Sequence, residues 1–203
     1  MGEGFLVDEW RDWPMESKDP AAKAMEDFLE KVGLDLPALG MEKTPERVAK
    51  MYGQLFSGME PVKKEEWGEL FESDATGLVA VRHIPFYSMC EHHLVPFFGE
   101  VDIVYQPQGG MVAGFSKFTK VVEHLSRRPQ LQERFTRQIA ATVAEGVGAE
   151  GVLVTVEAQQ LCMMMRGDLA PGARTVTTEC TGCFVKDKGL YQQAWLLLGG
   201  EKK

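Results

Sequence analysis

No run of the chain is long and apolar enough to span a bilayer as a helix, so an integral helical membrane protein is not expected. The N-terminal "MGEGFLVDEWRDWPMESKD" is acidic and lacks the basic-then-apolar pattern of a secretory signal; a cytoplasmic protein is the expectation. Basic residues are in deficit: 22 Lys and Arg against 30 Asp and Glu leave a formal net charge of −8, which argues against a general nucleic-acid binder. That balance still admits an anionic small substrate, provided cations gather locally. Cysteine is sparse, and four cysteines in a cytosolic chain point to ligands, catalytic groups or buried thiols rather than to a disulfide framework. Internal repeats and low-complexity segments are missing as well. What is present, 44% apolar and 26% charged residues over 203 positions, suits one full-sized soluble domain with a helical extension.

Residues 1–19 carry mixed charge without a period and read as a mobile N-terminal arm. In "DPAAKAMEDFLEKVGL", Asp19 can cap and Pro20 open a helix, with Met25, Phe28, Leu29 and Val32 at helical spacing and Gly33 stopping it. "KTPERVAKMYGQLFSG" repeats the design, with Thr44 as cap, Pro45 first, and Val48, Met51, Tyr52 and Leu55 as the stripe. Strands are expected over 78–86 and 100–107. A third helix is expected after Ser116, with Phe118, Val121, Val122 and Leu125 on one face. Pro129 is expected to open a fourth, carrying Leu131, Phe135, Ile139 and Val143. Strands over 152–158, 159–167 and 174–179 close the chain. Two strands, two helices and two strands behind a helical N-terminal part, with 174–179 a further candidate strand, predict an α+β fold: an antiparallel four-stranded sheet with two helices on one face. The domain reading is the arm 1–19, a helical segment 20–75, and a main α+β domain 76–203.

The chemistry concentrates in "YSMCEHHLVPFFG", where a cysteine and two adjacent histidines fall within four residues. Side chains of adjacent residues in extended chain point to opposite faces, so His92 and His93 are expected to have different tasks. Cys90 and His93 have a C-x2-H spacing that lets both reach one tetrahedral zinc. Two sets complete such a site. Adding Cys162 gives three ligands and an open position, the catalytic pattern; adding Cys180 and Cys183 of "CTGC" gives four, the structural pattern. Spacing alone favours the four-ligand set. His83 and His124 are isolated and read as surface or packing residues.

"CEHHLVPFFGEV", "GFSKFTKVV", "RRPQLQERFTRQIA" and "EAQQLCMMMRG", in this order and behind "KTPERVAKMYGQLFSG", resemble the GTP cyclohydrolase I family from about residue 20 to about residue 186. The resemblance implies the tunnelling fold, in which sheets of several subunits close into a barrel. It also implies a homodecamer with active sites at subunit boundaries. It selects Cys90, His93 and Cys162 as ligands of Zn2+ and leaves Cys180 and Cys183 outside. It makes His92 a catalytic acid/base and gives Ser116 the sugar. Glu133, with Gln132 beside it, reads the guanine edge, whose N1–H and 2-amino groups are paired donors. By the same resemblance Lys117, Lys120, Arg166 and Arg47 are expected to hold the triphosphate. Two positions depart from the family pattern. Lys120 stands where the family has Arg, which keeps the charge and loses the bidentate fork. Gln160 stands where the family has a second catalytic histidine, two residues before Cys162. The implied reaction is hydrolysis at C8 of GTP, ending in 7,8-dihydroneopterin triphosphate and formate. The alternatives are ring opening that stops or slows at the formamidopyrimidine nucleotide, and a non-catalytic zinc-bearing nucleotide binder.

Overall fold

The computed structural model describes residues 20–74, 77–165 and 172–199. The expected arm 1–19, the Asp19 cap and Arg166 lie outside the described residues. Among the described residues no helix is long and apolar enough to cross a membrane. The chain divides into two compact units between Ser57 and Gly58, ahead of the expected 75/76 boundary.

The first unit holds α1 (Pro20–Lys31) and α2 (Thr44–Leu55), which pack on each other. Pro sits at the start of both, where its missing N–H costs no intrahelical bond. Thr44 is the first residue of α2 rather than its cap; Lys43 precedes it without a side-chain cap bond.

The second unit begins with a 3-10 turn, Lys64–Trp67, which belongs to this core. Trp67 is buried, edge-on to Phe118 at 5.3 Å between ring centroids, and its indole lies where a Cβ on Gly146 would stand. The elements that follow are β1 (Phe71–Glu72), β2 (Val79–Cys90), β3 (Pro96–Gln106), β4 (Met111–Val112), α3 (Phe115–Ser126), β5 (Pro129–Gln130) and α4 (Gln132–Val147). Then come β6 (Gly151–Gln160), α5 (Leu161–Met164), β7 (Thr175–Cys180), α6 (Cys183–Lys186) and α7 (Lys188–Leu197).

The main sheet has the order β5-β2-β3-β6-β7. Its four long members are antiparallel, as expected for the α+β reading, and the two-residue β5 adds a short parallel edge beside β2. Alternation along the strands decides the layers. Val101, Ile103, Val154 and Val156 face α3 and α4 and meet Phe118, Val122, Phe135 and Ile139 in one apolar core. Val104 and Leu153 point the other way and are covered by Phe184, Ala194 and Leu198 of the C-terminal segment. That second cover was not expected from the sequence. Its start is capped by Asp187, whose carboxylate accepts from the N–H groups of Gly189 and Leu190.

Three local expectations are corrected. Pro129 does not open a helix: it pairs with Met89 in β5, and α4 begins at Gln132. Ser116 is not a cap, because α3 begins one residue earlier with Gly114 before it. Strands 152–158 and 159–167 are one strand ending at Gln160, because Gln159 and Gln160 continue the ladder opposite Phe98 and Phe97. His83 sits at a bulge of β2 with φ 57°; its N–H donates to Asp102 and its exposed ring pairs with Glu100 at 2.9 Å. His124 packs against the turn before β1, its Nε2 2.7 Å from the Glu60 carbonyl.

Candidate metal and substrate site

Cys90 is the last residue of β2, buried and fixed on both sides. Its N–H donates to the Val95 carbonyl, and it is paired with Gln130 of β5. The next three residues form a turn, not extended chain, and Leu94 closes it with φ 50° while its N–H donates to the Cys90 carbonyl. The divergence of the two histidines therefore comes from the turn rather than from strand alternation. Their rings lie 6.2 Å apart, inclined by 79°, and both are exposed.

Cys162 reaches the same place by a different route. The chain leaves β6 at Gln160 and winds into the single turn α5, so Cys162 is on a helix and not in the strand expected over 159–167. The ligand atoms of Cys90, His93 and Cys162 all lie within 4.8 Å of one another, the one such group of three or more metal-binding side chains among the described residues. Burial, and then the neighbouring Cys90, push the Cys162 thiol upward in pKa, as expected of two thiols that cannot both ionise comfortably without a cation between them. Two soft sulfurs and one imidazole nitrogen are a donor set that suits zinc.

The rival four-ligand set is not assembled. Cys180 pairs with Leu153, seven residues along β6 from Gln160, which at the rise of a strand is roughly 23 Å away. Cys180 and Cys183 pack instead with Phe184 and Leu198 on the other face of the sheet. Burial raises both thiols, helped by Glu179 beside Cys180 and by Glu150 beside Cys183.

The first turn of α4 stands beside both ligand-bearing segments. Gln132 is buried, and its amide is fully used inside the protein. Nε2 donates to the carbonyls of Val156 (3.0 Å) and Thr175 (3.1 Å); Oε1 accepts from Gln160 Nε2 (2.8 Å) and from the Thr175 hydroxyl (2.5 Å). Both donors of the Gln132 amide and both acceptor positions of its oxygen are thus engaged within the protein. The same bonds orient Gln160. Two backbone carbonyls fix which end of the Gln132 amide carries nitrogen, so Gln160 must offer its nitrogen to Gln132 and turn its oxygen elsewhere.

Glu133, next along the helix, is exposed. Arg134 reaches back to the ligand turn and pairs with Glu91, a contact between residues 43 apart that nothing in the sequence signalled. Ser116 and Lys120 are exposed on one face of α3 at i, i+4 spacing, and Lys117 between them donates to the Glu66 carbonyl at 3.1 Å. Arg47 lies on α2 of the first unit.

Comparison with known proteins places this arrangement. The family model described as GTP cyclohydrolase I matches residues 21–198. GTP cyclohydrolase 1 of Halalkalibacterium halodurans is 47% identical over 173 residues, 85% of this chain and 92% of its own length. The enzyme of the same name from Streptococcus pyogenes is 44% identical over 182 residues, 90% of this chain and 94% of its own. That of Bacillus cereus is 50% identical over 160 residues, 79% and 85% respectively. With a family match over nearly the whole chain and relatives this similar at nearly full length, the protein belongs to the GTP cyclohydrolase I family, whose tunnelling fold its α+β sheet and paired helices express.

Proposed function

We propose that the chain is a zinc-dependent hydrolase that attacks C8 of GTP and carries it to 7,8-dihydroneopterin triphosphate and formate, with formate release slower than ring opening. The observation that carries the reading is the gathering of Cys90, His93 and Cys162, ligand atoms within 4.8 Å of one another, bordered by the α4 turn that presents Glu133. Those three side chains would hold the ion. A zinc held by three protein donors supplies Lewis acidity that makes water nucleophilic near neutral pH.

The remaining work falls to the chain's own groups. Glu133 accepts N1–H and the 2-amino group of guanine, which sets the base in place. His92, exposed beside the ligand turn, delivers a proton to N7 as C8 is attacked and the imidazole ring opens to a formamide. Ser116 contacts the ribose. The triphosphate meets Lys117, Lys120, Arg166 and Arg47; the Lys117 ammonium spends one of its three donors on the Glu66 carbonyl and keeps two.

Gln160 sets the pace of the second half. Release of formate needs a second attack by water and protonation of the departing amine. An amide takes up no proton near pH 7, and this one is already committed to Gln132. His92 must then serve both rounds. Gln160→His is expected to bring formate release up toward the rate of GTP loss, read by assaying formate and GTP together; an unchanged ratio removes residue 160 from proton transfer.

Metal analysis tests the site itself. One zinc per subunit is expected, lost in Cys90→Ser, His93→Ala or Cys162→Ser and retained in Cys180→Ser with Cys183→Ser. The reverse pattern sinks the three-ligand reading. We further propose a homodecamer with sites at subunit boundaries. In support, β7 ends the sheet among the described residues, and Val176 on it is exposed. Sedimentation as a monomer at assay concentration would exclude it.

A further inference from the structure

We propose that Arg134 is a positioning residue that sets the geometry of the metal-ligand turn by gripping Glu91. The inference rests on the metal reading above. Glu91 follows Cys90 directly and lies two residues before His93, so whatever holds it holds the spacing of two ligands. It is held at both ends. Its N–H donates to the Gln130 carbonyl at 3.1 Å, and its carboxylate takes a bond from Arg134 Nη2. The same guanidinium donates through Nε to Gln130 Oε1 (3.0 Å) and through Nη2 to the Pro129 carbonyl (3.1 Å). One planar fork thus joins α4, β5 and the ligand turn, which a lysine with its single point of charge cannot do.

The polarity of this network is fixed from inside. Gln130 is wholly buried, and its Nε2 is spent on the Leu125 carbonyl (3.0 Å) and on Gln138 Oε1 (2.7 Å). Its Oε1 must therefore face a donor, and Arg134 supplies it. The turn needs such a hold, because Leu94 adopts a left-handed conformation that a leucine disfavours. Two residues before Arg134, Gln132 binds Gln160, which itself lies two residues before Cys162. The first turn of α4 therefore touches both segments that bring ligands, and Arg134 is its arm toward Cys90 and His93.

The Arg134 and Glu91 side chains are 34% and 31% exposed, so the pair is part-buried and solvent discounts its weight in folding without removing it. A positioning role and a merely structural one then predict different results. The test is zinc affinity by chelator competition, the visible spectrum of the cobalt-substituted protein, and melting of the metal-free form, for Glu91→Ala, Arg134→Ala and the double variant. Glu91→Ala is expected to weaken zinc binding by roughly 10–100-fold and to alter the cobalt–thiolate bands, while metal-free melting stays within ~3 °C of the parent. Arg134→Ala also strips a partner from buried Gln130 and is expected to lower melting, so Glu91→Ala carries the decision. Added to Arg134→Ala, it should cost less than about twofold more, since both changes break one contact. Unchanged zinc affinity and cobalt spectrum in Glu91→Ala, or losses that multiply in the double variant, overturn the proposal. A parent that binds neither metal removes the metal reading and this inference together.

Discussion

His92→Ala is expected to keep its zinc and to lose GTP ring opening by roughly 10²–10⁴-fold, the usual range for removing a positioned acid or base. The expectation comes from what the two adjacent histidines do not share. His93 stands within the Cys90 and Cys162 group, whereas the His92 ring is turned by 79° from it and lies exposed beside that group. Truncating an exposed side chain in a turn leaves no cavity in the core, so folding and metal binding stay intact while the proton donor disappears. Metal content and GTP loss measured on the same sample read both halves. A variant that keeps zinc and consumes GTP at the parent rate reduces His92 to a surface residue.

Glu133→Gln is expected to erode selection for guanine, by as much as ~10⁴-fold in the ratio of GTP to ATP turnover where a site is built to satisfy paired donors. Gln132 and Arg134, on either side, are both engaged inside the protein, which leaves Glu133 as the member of that turn facing outward. The change is isosteric, but the amide sets an N–H2 against the donors of guanine where the carboxylate set a second acceptor. Turnover of GTP with ATP as competitor is the measurement. An unaltered preference would move base recognition off α4.

These expectations combine what the sequence displayed with what only the fold supplied. The core was readable because its signals are periodic: alternation marked β2, β3 and β6, and the 3.6-residue stripe marked α3 and α4. Misreadings came where a local rule met a long-range bond. Pro129 looked like a helix start, but the backbone of residues 129 and 130 pairs with β2, and the helix waits until Gln132. Gln159 and Gln160 looked like the start of a new strand because two polar residues interrupt the apolar run; the ladder with β3 carries β6 through them. No helix was expected beyond residue 179; α7 is capped by Asp187, but its apolar run does not indicate which face of the sheet it covers.

The site was legible in its residue types and not in its partners. Spacing alone favoured the four-ligand set, and the length of β6, which separates Cys180 from Gln160, disfavours it. The resemblance set Gln132 beside Glu133; consecutive helical residues point about 100° apart, so Gln132 is buried and Glu133 exposed. The grip of Arg134 on Glu91 spans 43 residues and has no periodic signature at all.

The central claim, that Cys90, His93 and Cys162 hold the metal for hydrolysis at C8 of GTP, is tested most directly by one time course. GTP, formate and pterin fluorescence are followed together in the zinc-loaded parent and in Cys162→Ser. The account predicts that in the parent GTP disappears first and formate and pterin follow with a lag, while Cys162→Ser shows none of the three changes. GTP loss in Cys162→Ser at the parent rate, or no GTP loss in the zinc-loaded parent, would contradict it.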